Sequence, residues 1–269
     1  MTDSAQPDRL LLGGAVVHLR DTDQVEAALR DRLGPHPTDR PLAIASANLD
    51  HIHHFGAHRP ALTHADTRHD AVEWWVLLDG VPLLRAAHRL TGRRWPLLAG
   101  SDLLPQVLAI AERTGATVGF VGGTPQTHQI LREVLTGRHP RLRATGWWSP
   151  SRAELADPDR SAALAGAVAA AGVDLLVVAL GKPRQELWIK DYGAATGAQV
   201  MLAFGAAIDF LAGTATRAPT WVRRSGSEWA YRLVREPRRL AKRYCVQGPP
   251  ALWRLWTNSW IPDAKEGPA

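Results

Sequence analysis

Two hydrophobic patterns alternate along this chain: short runs that are almost continuously apolar, and longer stretches in which apolar residues recur every three or four positions. The short runs are typical of strands that are buried on both faces of a sheet. The longer stretches have the period of amphipathic helices. Seven short runs are predicted as strands, at residues 10–19, 41–48, 72–80, 117–123, 142–148, 174–181 and 199–205.

Signals for helix ends lie between these runs. Ser101 is predicted to cap a helix that ends at Gly115. Thr124 is predicted to cap the next helix, with Pro125 in its first position. Strands that alternate with helices predict an α/β fold, in which helices cover both faces of a mostly parallel sheet. Ligands of such folds bind at the carboxyl ends of the strands.

Polar residues and glycines follow most of the predicted strands. They are Ser46 and Asn48, Asp79, Gly122 and Gly123, Lys182 and Gln185, and, just beyond the last strand, Asp209. Because the carboxyl ends of the strands form the ligand-binding edge of such a sheet, these residues are the first candidates for a functional site.

Asp79 closes the strongly apolar strand of residues 72–80 and has two interpretations. A carboxylate that follows two tryptophans and two leucines would have a raised pKa and could act as a general base. Alternatively, Asp79 caps the helix that follows. The sequence pattern favours neither interpretation over the other.

The motif GKPRQE follows the predicted strand of residues 174–181. Gly181 allows a close backbone approach, Pro183 stiffens the loop, and Gln185 offers an amide to a base, ribose or phosphate. A structural turn in which Glu186 caps the next helix fits the spacing equally well.

The motif VGGTP, which contains Gly122 and Gly123, lies between a strand and a helix and resembles a phosphate-binding turn. It lacks the full GxGxxG or Walker pattern, so a plain tight turn is the alternative. A dehydrogenase is disfavoured on similar grounds, because no GxGxxG motif is followed by an acidic residue about 20 positions later.

Histidines are concentrated directly after the strand of residues 41–48. Asp50, His51, His53 and His54 suggest a metal site. The spacing, however, does not place the three imidazoles on one helical face, and neither an HExxH motif nor a cysteine partner accompanies them. Ordinary surface histidines are therefore predicted, and no metal. The single cysteine, Cys245, is predicted to be a free thiol.

Positive charge is concentrated in the last quarter of the chain. The net charge of all 269 residues is +6, yet residues 217–243 alone hold nine basic and two acidic residues. Five of the eleven tryptophans lie between residues 221 and 260. The chain is therefore predicted to consist of a core, residues 1–213, and a basic, tryptophan-rich helical appendage, residues 214–269.

Three interpretations fit this appendage. Arginine beside tryptophan suits an anionic membrane interface, where cations meet head groups and indoles lie at the water boundary. The same pair suits single-stranded nucleic acid, and a solvated basic face over ordinary core tryptophans is the third possibility. No apolar run reaches the roughly 18 residues of a spanning helix, and no secretory signal is recognised, so a cytoplasmic protein is predicted.

Taken together, these motifs resemble the WecG/TagA/CpsF glycosyltransferases, bacterial enzymes that build wall teichoic acid linkage units, enterobacterial common antigen and capsular polymers. The resemblance spans residues 41–260 and includes, in family order, SAN, LDG, AGSDL, VGGTP, HPRLRATGWW, GKPRQELW, AIDFLAG, RAPTW and EWAYRLVREPRR. Each motif alone is weakly specific, whereas the ordered set is highly specific.

The resemblance implies a Rossmann-like, metal-independent, inverting transferase that needs no cofactor. The family typically moves N-acetylmannosamine from its UDP derivative to N-acetylglucosamine on a polyprenyl diphosphate. Asp79 corresponds to the proposed base that deprotonates the acceptor hydroxyl, and Ser46 and Asn48 to the polar pair beside it. The implied substrate-binding residues are Gly122, Gly123, Gly181, Pro183, Gln185, Glu186, Asp209, Arg217, Arg232, Arg239 and Arg243.

The implied partners are the UDP-sugar, the lipid-linked acceptor and an anionic membrane surface, on which the appendage would dock and close the active site. The enzyme would then lie on the inner face of the cell membrane, and self-association through the core is an open possibility. Several motifs on the sugar and acceptor side differ from the family's usual residues, for example Gly146-Trp147-Trp148 in place of Gly-Tyr-Phe. A soluble small-molecule acceptor is therefore the alternative function, and a nucleic-acid-binding module the remote one.

Overall fold

The structure is a computed structural model that describes residues 7–35, 40–63, 70–215 and 228–262, with the side chains of Glu228, Arg232 and Arg239 outside the description. A single eight-stranded sheet runs through the described residues in the order β1-β2-β4-β3-β8-β7-β5-β6. Only β1 and β2 pair antiparallel, so the predicted α/β class with a mostly parallel sheet is confirmed. The strands are β1 (Arg9–Leu12), β2 (Ala15–His18), β3 (Leu42–Ala47), β4 (Glu73–Leu78), β5 (Thr117–Gly122), β6 (Arg143–Trp148), β7 (Leu175–Ala179) and β8 (Val200–Ala203).

Helices cover both faces of this sheet. They are α1 (Thr22–Arg32), α2 (Leu49–Phe55), α3 (Val81–Thr91), α4 (Gly100–Thr114), α5 (Pro125–Arg138), α6 (Arg152–Ala156), α7 (Pro158–Ala170), α8 (Arg184–Tyr192), α9 (Gly205–Leu211), α10 (Glu228–Arg235), α11 (Pro237–Ala241) and α12 (Gly248–Thr257). A 3₁₀ turn, Gly193–Thr196, follows α8, and a π-helical segment, Lys242–Gln247, joins α11 to α12. One core layer is closed by α2, α3, α7, α8 and α12, and the other by α1, α4, α5 and α9.

The run of residues 10–19, predicted as one strand, is a hairpin. Gly13 and Gly14 form its turn with φ values of 59° and 81°, a region that glycine adopts without strain. The turn also lies against α2, because a Cβ atom on Gly13 would be 2.6 Å from the Cγ2 atom of Ile52. The apolar pattern concealed the turn, since both arms of the hairpin are apolar.

The predicted helix ends are partly confirmed. Thr124 caps α5 by accepting a hydrogen bond from the Thr127 N–H at 3.1 Å, and α4 ends at Gly115. Ser101 as the cap of α4 is wrong. The carbonyl of Ala99 already accepts from the amides of residues 102 and 103, so the helix begins one residue before Ser101.

The sheet has a topological switch point between β5 and β7. The chain leaves β5 towards β6 at the edge of the sheet, whereas it leaves β7 in the other direction, towards β8. Crevices at such points are the usual ligand sites of open α/β sheets. The carboxyl ends of β5 and β7 pair here as far as Gly122 and Ala179, and a Cβ atom on Gly122 would lie 2.3 Å from the Ala179 carbonyl oxygen.

Part of the predicted appendage contributes to the core of the fold. Helix α12 packs on α2 and α3, and its Ala251 and Leu255 are buried. Beyond α12, Trp260 pairs with Leu11 of β1 through backbone hydrogen bonds of 2.9 and 3.0 Å. In the part of the chain that the structure covers, none of the helices combines the length and the apolar character needed to cross a membrane.

Candidate active site

The carboxyl ends of β3 and β4 bring Asn48 and Asp79 together. Each residue directly follows its strand, and the two strands are neighbours in the sheet. The Asp79 N–H donates to the Ala47 carbonyl at 2.9 Å, and a Cβ atom on Gly80 would lie 3.5 Å from that of Asn48. The predicted base and the predicted polar residue beside it therefore share one small region of the sheet edge.

Asp79 is not the cap of the helix that follows it. The N-cap residue of α3 is Gly80, so Asp79 lies one position before the helix. Two hydrogen bonds hold the end of β4. The Leu98 N–H donates to the Leu78 carbonyl at 2.8 Å, and the Asp79 N–H donates to the Ala47 carbonyl. Asp79 is half-buried at the carboxyl end of a strand, the edge at which ligands of such sheets bind.

The side chain of Asn48 has a defined orientation. Asn48 is the N-cap residue of α2, and its Oδ1 atom accepts a hydrogen bond from the His51 N–H at 3.2 Å. Because the amide oxygen is used by the helix cap, the amide nitrogen is the group that remains for a ligand. Asn48 is thus set up to donate a hydrogen bond beside Asp79.

A buried polar cluster lies behind these two residues. The Lys182 ammonium donates to the Ser46 carbonyl at 2.7 Å and to Nδ1 of His51 at 3.2 Å, and it contacts Oε1 of Glu186 at 3.1 Å. The Lys182 side chain is 9% exposed and that of Glu186 is 0% exposed. The sequence predicts Lys182 at a strand end and contains no signal for its contact with His51.

The surface interpretation of the histidines is wrong for His51. His51 is buried in the first turn of α2, with its ring centroid 4.9 Å from that of Phe55. Burial, the positive charge of Lys182 and the neighbouring His54 together hold the pKa of His51 well below its usual value. The i, i+4 spacing of His51 and Phe55 is the signal that could have predicted an inward-facing histidine.

Gln185 and Glu186 are turned into the protein. Both protons of the Gln185 amide are used, one by the Ala203 carbonyl at 2.7 Å and one by Glu186 at 3.1 Å. Among the described residues, neither Oε1 of Gln185 nor Oε2 of Glu186 has a hydrogen-bond partner, although both are buried. The N-cap position of α8 is held by Pro183, so the alternative in which Glu186 caps this helix is wrong.

The side chain of Arg184 holds the rest of the GKPRQE loop. Arg184 folds back, and its Nε and Nη2 atoms donate to the Leu180 carbonyl at 3.1 and 2.9 Å. Gly181, Lys182 and Pro183 lie between this contact and α8 and are half-buried. This loop lies on one side of the switch point, at the carboxyl end of β7.

On the other side of the switch point, Gly122 and Gly123 form the turn between β5 and α5, with φ values of 98° and 78°. His128 holds this turn through a 2.7 Å hydrogen bond between its Nε2 atom and the Gly122 carbonyl, and its Nδ1 atom contacts Ser149 Oγ at 3.2 Å. Since a carbonyl only accepts, Nε2 carries the proton. Gly123 is exposed ahead of the 14-residue helix α5, whose N-terminus suits an anion.

Asp209 is the fifth residue of α9, the helix that follows β8, and it is half-buried. Its backbone carbonyl accepts hydrogen bonds from Thr214 and Ala215 at 3.1 and 3.2 Å, which closes the end of α9. Helix α9 packs on α4 and α5. Because α5 begins directly after the Gly122 turn, Asp209 lies on the same side of the sheet as that turn.

Of the four predicted arginines, Arg243 is the one whose side chain the structure describes. Its Nε atom lies 3.4 Å from Oδ2 of Asp50, the second residue of α2, and His54 approaches the other oxygen of that carboxylate at 3.7 Å. Arg217 lies outside the described residues. Arg232 and Arg239 belong to α10 and α11, and their side chains lie outside the description.

The described residues contain no group of three or more histidine, cysteine or carboxylate side chains placed to hold a metal ion. The edge instead combines a carboxylate, an amide donor, two glycine turns and a buried lysine. A family model described as "Glycosyl transferase WecG/TagA/CpsF family" matches residues 11–265, a span from β1 through every loop described above to the segment that packs on α2. The chain therefore belongs to the WecG/TagA/CpsF family of glycosyltransferases.

Proposed function

We propose that this protein is an inverting, metal-independent glycosyltransferase of cell-surface polysaccharide synthesis. It moves N-acetylmannosamine or a related hexose from a UDP-sugar to a sugar on a polyprenyl diphosphate, and it works at the inner face of the cell membrane. The observation that carries the proposal is the position of Asp79, which follows β4 beside the Asn48 amide and ahead of the α3 cap. Membership of the family supports glycosyl transfer itself.

In the proposed reaction, Asp79 takes the proton from the acceptor hydroxyl as that oxygen attacks the anomeric carbon of the donor. The bond between this carbon and the UDP oxygen breaks on the opposite face, so the configuration inverts and UDP leaves with the electron pair. Asn48 donates a hydrogen bond to the acceptor or the sugar. The charge that develops on UDP would be stabilised by the Gly122 and Gly123 amides at the start of α5.

The positive charge that stabilises the leaving UDP would come from the arginines of the C-terminal segment, Arg217, Arg232, Arg239 and Arg243. Guanidinium groups match diphosphate oxygens well, and they replace the role that a metal ion has in other transferases. Arg243 already lies against the first turns of α2, through Asp50. The proposal therefore joins the C-terminal helices to the same site as Asp79.

The first experiment measures UDP release from a panel of UDP-sugars with a polyprenyl-diphosphate-linked N-acetylglucosamine as acceptor. The Asp79→Asn variant should lose about two or more orders of magnitude in kcat, because an amide cannot accept the proton. Asp191→Asn is the matched control: Asp191 is an exposed aspartate near the far end of α8. Wild-type turnover in Asp79→Asn would exclude it as the base, and no UDP release above a boiled control for any pair would refute the proposed function.

A further inference from the structure

Lys182 connects two strands that do not touch each other. Strand β8 separates β3 from β7, and its pairing with β3 ends at Ala45 and Ala203. The next carbonyl of β3, that of Ser46, accepts a hydrogen bond from the Lys182 ammonium at 2.7 Å. The lysine, which comes from the loop after β7, thus reaches across the end of β8 and completes the hydrogen bonding of β3.

The Lys182 ammonium is fully occupied by the protein. Its three N–H donors face three acceptors: the Ser46 carbonyl, Nδ1 of His51 and Oε1 of Glu186, at 2.7, 3.2 and 3.1 Å. A buried ammonium that is paired with a carboxylate and has all of its donors used is held in one position. Lys182 therefore has no donor left for a substrate, and any role in the reaction must act through its neighbours.

One of these neighbours leads directly to Asn48. The ring of His51 accepts from Lys182, while the backbone N–H of the same residue donates to Oδ1 of Asn48 at 3.2 Å. Lys182 thus holds His51, and His51 fixes which end of the Asn48 amide faces outward. On the other side of Asn48, Ala47 accepts from the Asp79 N–H at 2.9 Å.

We propose that Lys182 is a positioning residue that couples the loop after β7 to the first turn of α2. It keeps the Asn48 amide and Asp79 at a fixed distance from the loop after β7, on which the UDP-sugar would bind. This inference rests on the proposed function, because the coupling matters only if the donor and the base lie on these two loops.

A positioning role predicts a specific kinetic effect. Lys182→Met retains most of the side-chain volume and removes the three donors, so α2 loses its connection to the loop after β7. A small displacement of catalytic groups can lower turnover by up to about a hundredfold, and we expect kcat to fall by about 10- to 100-fold. The KM for the UDP-sugar should change by less than about twofold, since Lys182 touches no substrate.

The chain offers a matched control and a second variant. Lys190 is an exposed lysine of α8, the helix that follows Lys182, and its ammonium donates to the Ala61 carbonyl at 2.9 Å. Lys190→Met should leave kcat unchanged. His51→Leu removes the acceptor between Lys182 and Asn48 and should lower kcat like Lys182→Met. The double variant should then be no worse than the poorer single variant by more than about twofold, because both changes break one connection.

The assay uses UDP-N-acetylmannosamine with a short-chain polyprenyl-diphosphate N-acetylglucosamine, and amide hydrogen exchange is measured on the same full-length proteins. Exchange needs no turnover: Lys182→Met should speed exchange in the first turn of α2 as well as in the loop after β7. Faster exchange in the loop alone would overturn the proposal. An inactive wild-type protein would count against the proposed function, while the exchange result would still decide the coupling.

With an active wild-type protein, unchanged kcat in a folded Lys182→Met variant would overturn the proposal. The proposal would also be overturned if the fold-losses in kcat of the two single variants multiplied in the double variant. If Lys182→Met does not fold, as judged by its thermal transition, His51→Leu takes its place, with the same expected fall in kcat and the same expected exchange in the first turn of α2.

Discussion

Two buried histidines are neutral parts of this fold. His18, at the end of β2, accepts the Val76 N–H at its Nδ1 atom over 3.1 Å, and burial, with smaller effects of Arg20 and Arg9, lowers its pKa from 6.5 to about 3. The pKa of His51 is lowered in the same direction. Both side chains serve as hydrogen-bond acceptors, a role that only the neutral ring can fill.

These histidines predict a loss of stability in acid. Above about pH 6.5 the folded and unfolded states are both neutral at these positions, so the histidines add no dependence on pH. Below that pH the unfolded chain binds protons that the folded chain excludes, and the free energy of unfolding falls by about 1.4 kcal/mol per pH unit for each histidine. For His18 the fall continues until the pH approaches its folded pKa of about 3.

Urea unfolding between pH 7.5 and pH 4 tests this with His18→Asn, because the asparagine Oδ1 can accept from Val76 and does not titrate. The variant should be less stable than the wild type by about 1–2 kcal/mol at pH 7.5, and its stability should fall less steeply in acid. Equal slopes for the two proteins would mean that His18 becomes protonated in the folded state.

The strand-end residues of the site were predictable one at a time, since each follows an apolar run. Their mutual contacts were not. Lys182 and His51 are 131 positions apart, and nothing in either local sequence indicates that a lysine reaches across β8 to an inward-facing histidine. Contacts of this kind depend on strand order and strand length, which the hydrophobic pattern does not contain.

At the level of elements, the C-terminal helices expose apolar side chains to an unusual degree. Trp229, Trp253 and Trp256 are 53, 71 and 69% exposed, and Val234 and Val246 are also on the surface. Exposed cations lie in the same segment, at Arg235, Arg238 and Lys242. Large exposed apolar patches mark interaction sites, and tryptophan beside basic residues suits an anionic lipid surface.

A flotation experiment with phosphatidylcholine and phosphatidylglycerol vesicles tests this surface. The double variant Trp253→Ser with Trp256→Ser should bind about tenfold or more weakly, because two exposed indoles no longer insert into the interface. Leu187→Ser is the control, since Leu187 is a 40% exposed apolar residue of α8. Binding by the wild type should weaken as salt is raised. Failure of the wild type to bind at low salt would favour a soluble acceptor.

Among the elements, the parallel strands were the easiest to predict, because burial on both faces makes them apolar throughout. The first run hid a hairpin for the same reason. The histidines of α2 predict a surface segment, yet α2 lies between β3 and α12, and three of its seven residues are buried: His51, Ile52 and Phe55. Its neighbour α12 comes from the part of the chain that the sequence predicts as the basic, tryptophan-rich appendage.

For the molecule as a whole, the C-terminal segment and the core form one packed unit in the described residues. Ala251 and Leu255 of α12 belong to the same core layer as α2 and α3, and Trp260 continues the pairing of β1. Basic charge and tryptophan content predicted a segment of different chemistry. They could not predict that one face of α12 is buried, because its apolar residues serve both the core and the exposed surface.

The packing predicts that α12 contributes to the stability of the core. Leu255→Ala should lower the free energy of unfolding by about 2–5 kcal/mol, the usual effect of removing a buried leucine side chain. Leu252→Ala on the same helix is the control, since Leu252 is 39% exposed, and it should change stability by less than about 0.5 kcal/mol. Thermal and urea unfolding measure both variants. Equal, negligible effects would mean that the core is stable without this helix.

The pairing between Leu11 and Trp260 has a consequence for the order of events during synthesis. β1 is one of the two edge strands of the described sheet, and its free side pairs with Trp260, a residue made almost 250 positions after Leu11. A strand edge that stays unpaired is a template for association with other chains. While the chain is still on the ribosome, this edge has no partner, so the edge of β1 is open to association with other chains until Trp260 has been made.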